Sequence, residues 1–157
     1  MINLFGVYEC SADAKGRVMI PAAMKIQLKK IFKQGFVIKR SIFNKSLELY
    51  PMSSWEGMSK EVNGLNKFVK KNVTFISMFN YGVKQVELDG NMRFLIPKEL
   101  QVAAGIKKDV VLASAVDRVE IWDKKTYEKF IKENSAAFEK LAEEVMGGAG
   151  TSKPNDK

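Results

Sequence analysis

Two stretches decide the reading of this chain: SADAKGRVMIPAAM at residues 11–24 and ELDGNMRFLIPKEL at residues 87–100. With Asp13 placed on Asp89, Arg17 falls on Arg93, Ile20 on Ile96, Pro21 on Pro97 and Met24 on Leu100, each 76 positions further on. An aspartate, an arginine, an Ile-Pro pair and a helical start recur in one order. One such run is an ordinary turn; two in register mark an internal repeat.

The repeat widens on both sides. In the first copy, residues 7–12 and 17–20 read as strands around the turn DAKG, whose Asp and Gly suit a tight reversal. Pro21 is expected at the first helical position, where its missing N–H is not needed. Met24, Ile26, Leu28 and Ile31 supply a buried stripe, and Gly35 ends the helix. FVIKRSIF and LELY follow as strands. The second copy replays this with VKQVEL, RFLI, PKELQVAAG, DVVLASAV and VEIW, so a β-β-α-β-β unit occurs twice. Leu47 and Val119 are 72 apart, so four residues are lost within the second copy.

The resulting fold class is α+β, with units at residues 5–52 and 83–125. Residues 53–82 form a helical connector. Ser53-x-x-Glu56 reads as its capping box, and Phe68, Phe75, Ile76 and Phe79 as a common apolar face of a hairpin packing on both halves. Residues 126–146 form a C-terminal helix, whole or broken near Asn134, which Asp123 is placed to cap. Residues 147–157, GGAGTSKPNDK, are small, polar and aperiodic, and read as a disordered tail. A unit of this size buries little core alone, so the halves are expected to pack as one pseudo-symmetric body.

Composition narrows the chemistry. The 157 residues include no histidine and one cysteine, Cys10. Ser-His and Cys-His dyads, His-containing metal sites and thiolate zinc sites are thereby excluded, and so is an intramolecular disulfide. Cys10 lies in a strand alternation and reads as a small core residue. No P-loop or dinucleotide fingerprint occurs, so no cofactor, metal or small-molecule ligand is expected. The sequence lacks a secretory leader and any apolar run of the ~18 residues that span a bilayer, which fits a cytoplasmic protein. An enzyme is not expected.

The net charge is +8, and it is unevenly placed. Residues 1–50 carry nine Lys/Arg and three Asp/Glu, and residues 51–82 carry four and two. Residues 83–122 carry six of each, and residues 123–157 seven of each. An excess confined to the first half suits a surface that faces a polyanion. A two-stranded ribbon can enter a DNA major groove, and an arginine near its tip can bond bidentately to guanine. Lys15 and Arg17 flank a glycine, Gly16, that permits close backbone approach, and Asp13 is placed to bind turn amides or orient Arg17.

These residues resemble the MraZ family, whose hallmark is a D-x-x-x-R motif in each of two halves, commonly D-x-K-G-R before apolar residues and proline. Asp13-Ala14-Lys15-Gly16-Arg17 with Ile20-Pro21, and Asp89 to Arg93 with Ile96-Pro97, carry the resemblance. LELYPMSSWE and VEIWDKKTYEKF extend it, so that it covers about residues 1–145. The resemblance implies tandem SpoVT-AbrB-like, swapped-hairpin units in a β-barrel-like core with flanking helices. It also implies a sequence-specific DNA-binding transcriptional regulator of the division and cell-wall gene cluster. Such a protein would be associated with the nucleoid and would bind repeated sites in its own promoter as a ring-shaped homo-oligomer. Lys15, Gly16, Arg17 and Arg93 would be DNA contacts, with Asp13, Asp89, Pro21 and Pro97 shaping the motifs. The second motif, DGNMR, has Met92 in place of the usual glycine and no lysine before Arg93, so its turn is expected to differ and the first half to be the main reader. The rival readings are a non-enzymatic oligomeric assembly module, a single-stranded RNA binder, and last an enzyme with two converging acids.

Overall fold

The computed structural model describes residues 4–148. Apart from Gly147 and Gly148, the expected tail lies outside the described residues. Residues through Lys124 form one compact unit, and those from Lys125 a second.

The first unit contains two successive β-β-α-β-β runs. Strands β1 (Val7–Ser11) and β2 (Arg17–Met19), helix α1 (Ala22–Leu28), a 3-10 segment (Lys29–Gln34), and strands β3 (Phe36–Arg40) and β4 (Leu47–Pro51) make the first. Helices α2 (Met52–Asn63) and α3 (Lys70–Asn80) come next. Strands β5 (Lys84–Val86) and β6 (Arg93–Leu95), helix α4 (Lys98–Ala104), and strands β7 (Asp109–Ser114) and β8 (Val119–Asp123) make the second.

Six strands form an antiparallel sheet in the order β1-β7-β8-β4-β3-β5, while β2 and β6 pair as a separate ribbon. The halves are interleaved: β1 of the first half pairs with β7 of the second, and β5 of the second with β3 of the first. The sheet is open, with β1 and β5 as its edges. The expected barrel-like closure does not form, because β2 and β6 pair with each other; a single Ala12–Val18 bridge links β2 back toward β1.

The registers show where the copies diverge. Val18 pairs with its own repeat mate Phe94, 76 positions on. Ile38 faces Leu49 as Leu112 faces Ile121, and these mates are 74 and 72 positions apart. Two residues are therefore lost before the third strand and two in the following hairpin. Glu48 pairs with Glu120, again 72 apart, so the pseudo-twofold axis runs through Val18–Phe94 and Glu48–Glu120.

The core lies between one face of the sheet, the ribbon and helices α1 and α4. It contains Val18, Ile20, Met24 and Leu28 with their counterparts Phe94, Ile96, Leu100 and Ala104, beside Ile38, Leu49, Leu112 and Ile121. Helices α1 and α4 have seven residues each, too short to be stable alone. Burial of Met24, Leu28 and Leu100, at roughly 2 kcal/mol per side chain, holds them in place. Ile26 does not share the stripe expected of it. It is 77% exposed, because two turns present only Met24 and Leu28 inward. Gly105, at φ +65°, ends α4 in the left-handed conformation, and Ile106 N–H donates back to Gln101 O.

Two local signals were displaced. Pro21 and Pro97 occupy the N-cap positions, with extended backbone, one residue before the expected first helical position. Their carbonyls accept the N–H of Lys25 and Gln101. Ser53 caps nothing: Pro51 still pairs in β4 and leads straight into α2, so Ser53 lies inside the helix. In the connector, Trp55 stacks on Phe79 and meets Tyr50 edge-on, so its ring contacts reach β4. Phe68 precedes α3 and is 100% exposed, outside the face expected for it.

The C-terminal segment forms two helices, α5 (Lys124–Ser135) and α6 (Phe138–Met146), the broken alternative of the two expected. Asn134 and Ser135 turn their side chains onto the carbonyls of Phe130 and Ile131, competing with continued helical bonding at the break.

Candidate nucleic-acid interface

Both repeated loops are built by one carboxylate. Asp13 Oδ1 accepts the N–H groups of Lys15 (3.0 Å) and Arg17 (2.9 Å), and Oδ2 accepts Arg17 Nε at 2.6 Å. Asp13 N–H donates to Arg17 O, and Gly16 N–H to Asp13 O. The second loop repeats this atom for atom. Asp89 Oδ1 accepts Asn91 N–H (2.8 Å) and Arg93 N–H (3.0 Å), and Oδ2 accepts Arg93 Nε at 2.9 Å. Asp89 N–H donates to Arg93 O, and Met92 N–H to Asp89 O.

The expected change of shape in the second loop is therefore absent. Met92 takes φ +60° where Gly16 takes φ +91°. Each loop is also tied across the repeat: Ile96 N–H donates to Gly16 O, and Ile20 N–H to Met92 O, both at 3.0 Å. The hydrogen bonds that hold the turn come from Asp89 and Ile20, so methionine is carried into a conformation that glycine adopts freely.

The arrangement aims the arginines. Arg17 lies opposite Leu95 and Arg93 opposite Met19, so the two arginines mark the two ends of the three-pair ribbon. Each guanidinium spends Nε on its aspartate, and no other described side chain accepts from its terminal nitrogens. That leaves two parallel N–H groups per arginine for a planar acceptor pair. Lys15 is exposed at the tip of the first loop. Gly16 is buried, and a Cβ there would meet Gln101 Nε2. Gln101 Nε2 itself donates to Ile96 O at 2.7 Å and Lys15 O at 3.3 Å. Gly16 thus sets loop shape beneath a side chain that composition gave no reason to single out.

The electrostatics follow from the bonds. The Arg17 backbone N–H, with the guanidinium and the Lys15 amide, pulls the Asp13 carboxyl from 3.8 down to about 2. The Arg93 backbone N–H lowers Asp89 in the same way. Both carboxylates are ionised at any ordinary pH, so the loops carry permanent clamps. Burial pushes the Cys10 thiol up to about 11, which makes it inert as a nucleophile at neutral pH.

Two acids do converge, at Glu48 and Glu120 across β4 and β8. Both are occupied. Tyr50 O–H donates to Glu48 at 2.9 Å, Arg118 lies 3.5 Å away and Lys39 3.9 Å away, and Trp122 Nε1 donates to Glu120 at 3.0 Å. Arg118 also donates to Tyr50 Oη at 2.7 Å. The acids lie on the face of the sheet turned away from the core, Glu48 bonded to Tyr50 and Glu120 to Trp122.

The sequence profile of the family described as "MraZ protein, putative antitoxin-like" matches residues 4–77 and 78–147. The chain is 56% identical over 147 residues to the Transcriptional regulator MraZ of Christiangramia forsetii, covering 94% of this chain and 95% of that one. It is 52% identical to the protein of the same name in Flavobacterium psychrophilum, covering 94% of each. To that of Cytophaga hutchinsonii it is 38% identical, covering 90% of this chain and 93% of that one. The chain belongs to the MraZ family, a family of transcriptional regulators rather than of enzymes.

Proposed function

We propose that this protein is a sequence-specific, DNA-binding transcriptional regulator that reads duplex DNA through its two Asp-x-x-x-Arg loops. One observation carries the reading: in each loop an aspartate holds the arginine by Nε and leaves its terminal nitrogens free at the end of a two-stranded ribbon. This is the geometry a bidentate guanine contact uses. Arg17 is the main base contact, Lys15 a phosphate contact beside it, and Arg93 its counterpart in the second loop. Gly16, Asp13 and Asp89 set loop shape, and Pro21 and Pro97 start the helices behind them.

On this reading residues 5–52 and 83–125 are two AbrB-like, swapped-hairpin DNA-reading units. Residues 53–82 join them as the helical connector, and residues 126–146 are the C-terminal helical segment. Ring-shaped assembly would set several loops on repeated promoter sites and raise avidity without new contacts. The target would be the promoter of the division and cell-wall gene cluster that contains the protein's own gene, placing the protein on the nucleoid. The likeness to relatives named transcriptional regulators supports the regulator reading.

The test is binding to the protein's own upstream duplex and to a scrambled duplex, across a salt series, with Arg17→Ala alongside. Preference for the upstream duplex that falls steeply with salt and is lost in Arg17→Ala is expected. Equal binding to both duplexes, unchanged by Arg17→Ala, would overturn the loop assignment.

A further inference from the structure

The groove beside the first loop is lined by Ala12, Asp13, Ala14, Gln101, Lys107 and Lys108. The two lysines belong to the second half, on the turn between α4 and β7, yet interleaving of the halves sets them against the first loop. Their backbone is anchored there: Ala12 N–H donates to Lys108 O at 2.8 Å, and Ser11 faces Asp109 in the β1–β7 register. Both side chains are exposed and make no ion pair among the described residues.

Two acids lie close by, and neither neutralises them. Asp13 directs its oxygens at the Lys15 and Arg17 amides and Arg17 Nε. Asp109 is exposed in the ladder opposite Ser11 and makes no ion pair with either lysine. Two adjacent, uncompensated ammonium groups next to an arginine loop make a polyanion-facing edge.

We infer that Lys107 and Lys108 form a phosphate clamp on the DNA backbone flanking the first loop. This rests on the reading of that loop as a DNA reader. Phosphate contacts position a protein on the duplex while base contacts specify the sequence. One DNA segment is therefore held by an arginine of the first half and lysines of the second, and the reading edge at the first loop is a composite of both repeats.

The experiment measures affinity against salt for four full-length proteins: wild type, Lys107→Ala/Lys108→Ala, Arg17→Ala and Lys129→Ala/Lys140→Ala. The last removes equal charge from α5 and α6, where both lysines pair with glutamates four residues on. Each protein is tested on the upstream duplex and on a scrambled duplex of equal length. The Lys107/Lys108 variant is expected to lose affinity on the order of tenfold on both duplexes, with a log–log salt slope shallower by about 2. Its preference for the upstream duplex should persist, and the Lys129/Lys140 variant should bind like wild type.

Wild-type affinity and slope in the Lys107/Lys108 variant would overturn the clamp, provided Arg17→Ala still abolishes sequence preference. An equal loss in the Lys129/Lys140 variant would also overturn it, by showing a net-charge effect. A wild type without sequence preference, unmoved by Arg17→Ala, would overturn the loop reading and the clamp with it.

Discussion

Gly16 and Met92 hold the same place in the two loops, both at positive φ, and the carbonyl of each accepts the N–H of an isoleucine from the other half. The loops are thereby one mechanical element. What deforms one turn pulls on Ile20 or Ile96, both of which are buried in the shared core.

The glycine and the methionine respond oppositely to substitution. Gly16→Ala places a Cβ at φ +91° against Gln101 and should cost about 1–2 kcal/mol. Met92→Gly relieves a similar strain but adds freedom to the unfolded chain, so the net change should stay within about 1 kcal/mol. Met92→Val puts a β-branched residue at φ +60° and should cost about 1–3 kcal/mol. Urea midpoints of the three variants check the ordering.

Asp13 should titrate far below an ordinary aspartate. Its carboxyl sits near 2 in the folded loop against 3.8 when free, so its contribution to stability is complete above 3.8 and is lost as pH falls through about 2. Side-chain carboxyl NMR between pH 1.5 and 5 should show that midpoint. The strongest cause is the backbone N–H of residue 17, so Arg17→Ala should raise the midpoint only part of the way to 3.8. A return to 3.8 would mean the guanidinium alone holds the carboxylate.

Lys39 is 3% exposed, with Nζ donating to Arg40 O and lying 4.6 Å from the centroid of the Phe79 ring. Burial lowers its pKa, so the unfolded chain binds the proton more tightly and this group adds stability as pH rises toward 10.5. Lys39→Met should remove that dependence and keep stability within about 1 kcal/mol of wild type. Glu48→Ala should cost about 3 kcal/mol, because it strands Lys39, Tyr50 and Arg118 together. Thermal melts from pH 7 to 10 would register both effects.

Much of the architecture was legible because its signals are local. The Asp-x-x-x-Arg spacing already contains the clamp: a carboxylate at the first position reaches the amide and guanidinium four residues on. Alternating apolar residues and paired turns likewise place the eight strands. The shape of the second loop is not legible in the sequence, for a physical reason. A missing glycine shows that a turn is costly, but not that Asp89 and Ile20 supply hydrogen bonds that hold Met92 in it.

Charge counted along the chain misled in the same way. It set Lys107 and Lys108 in a neutral half, whereas the β1–β7 ladder carries them to the basic loop of the other half. Periodicity, turns and the repeat are properties of neighbours in the chain, and the sequence by itself determined those. Strand order, the open sheet and the composite edge depend on pairings between residues 46 to 106 positions apart. Only burial of the shared core selects among such pairings, so the tertiary structure alone decided them.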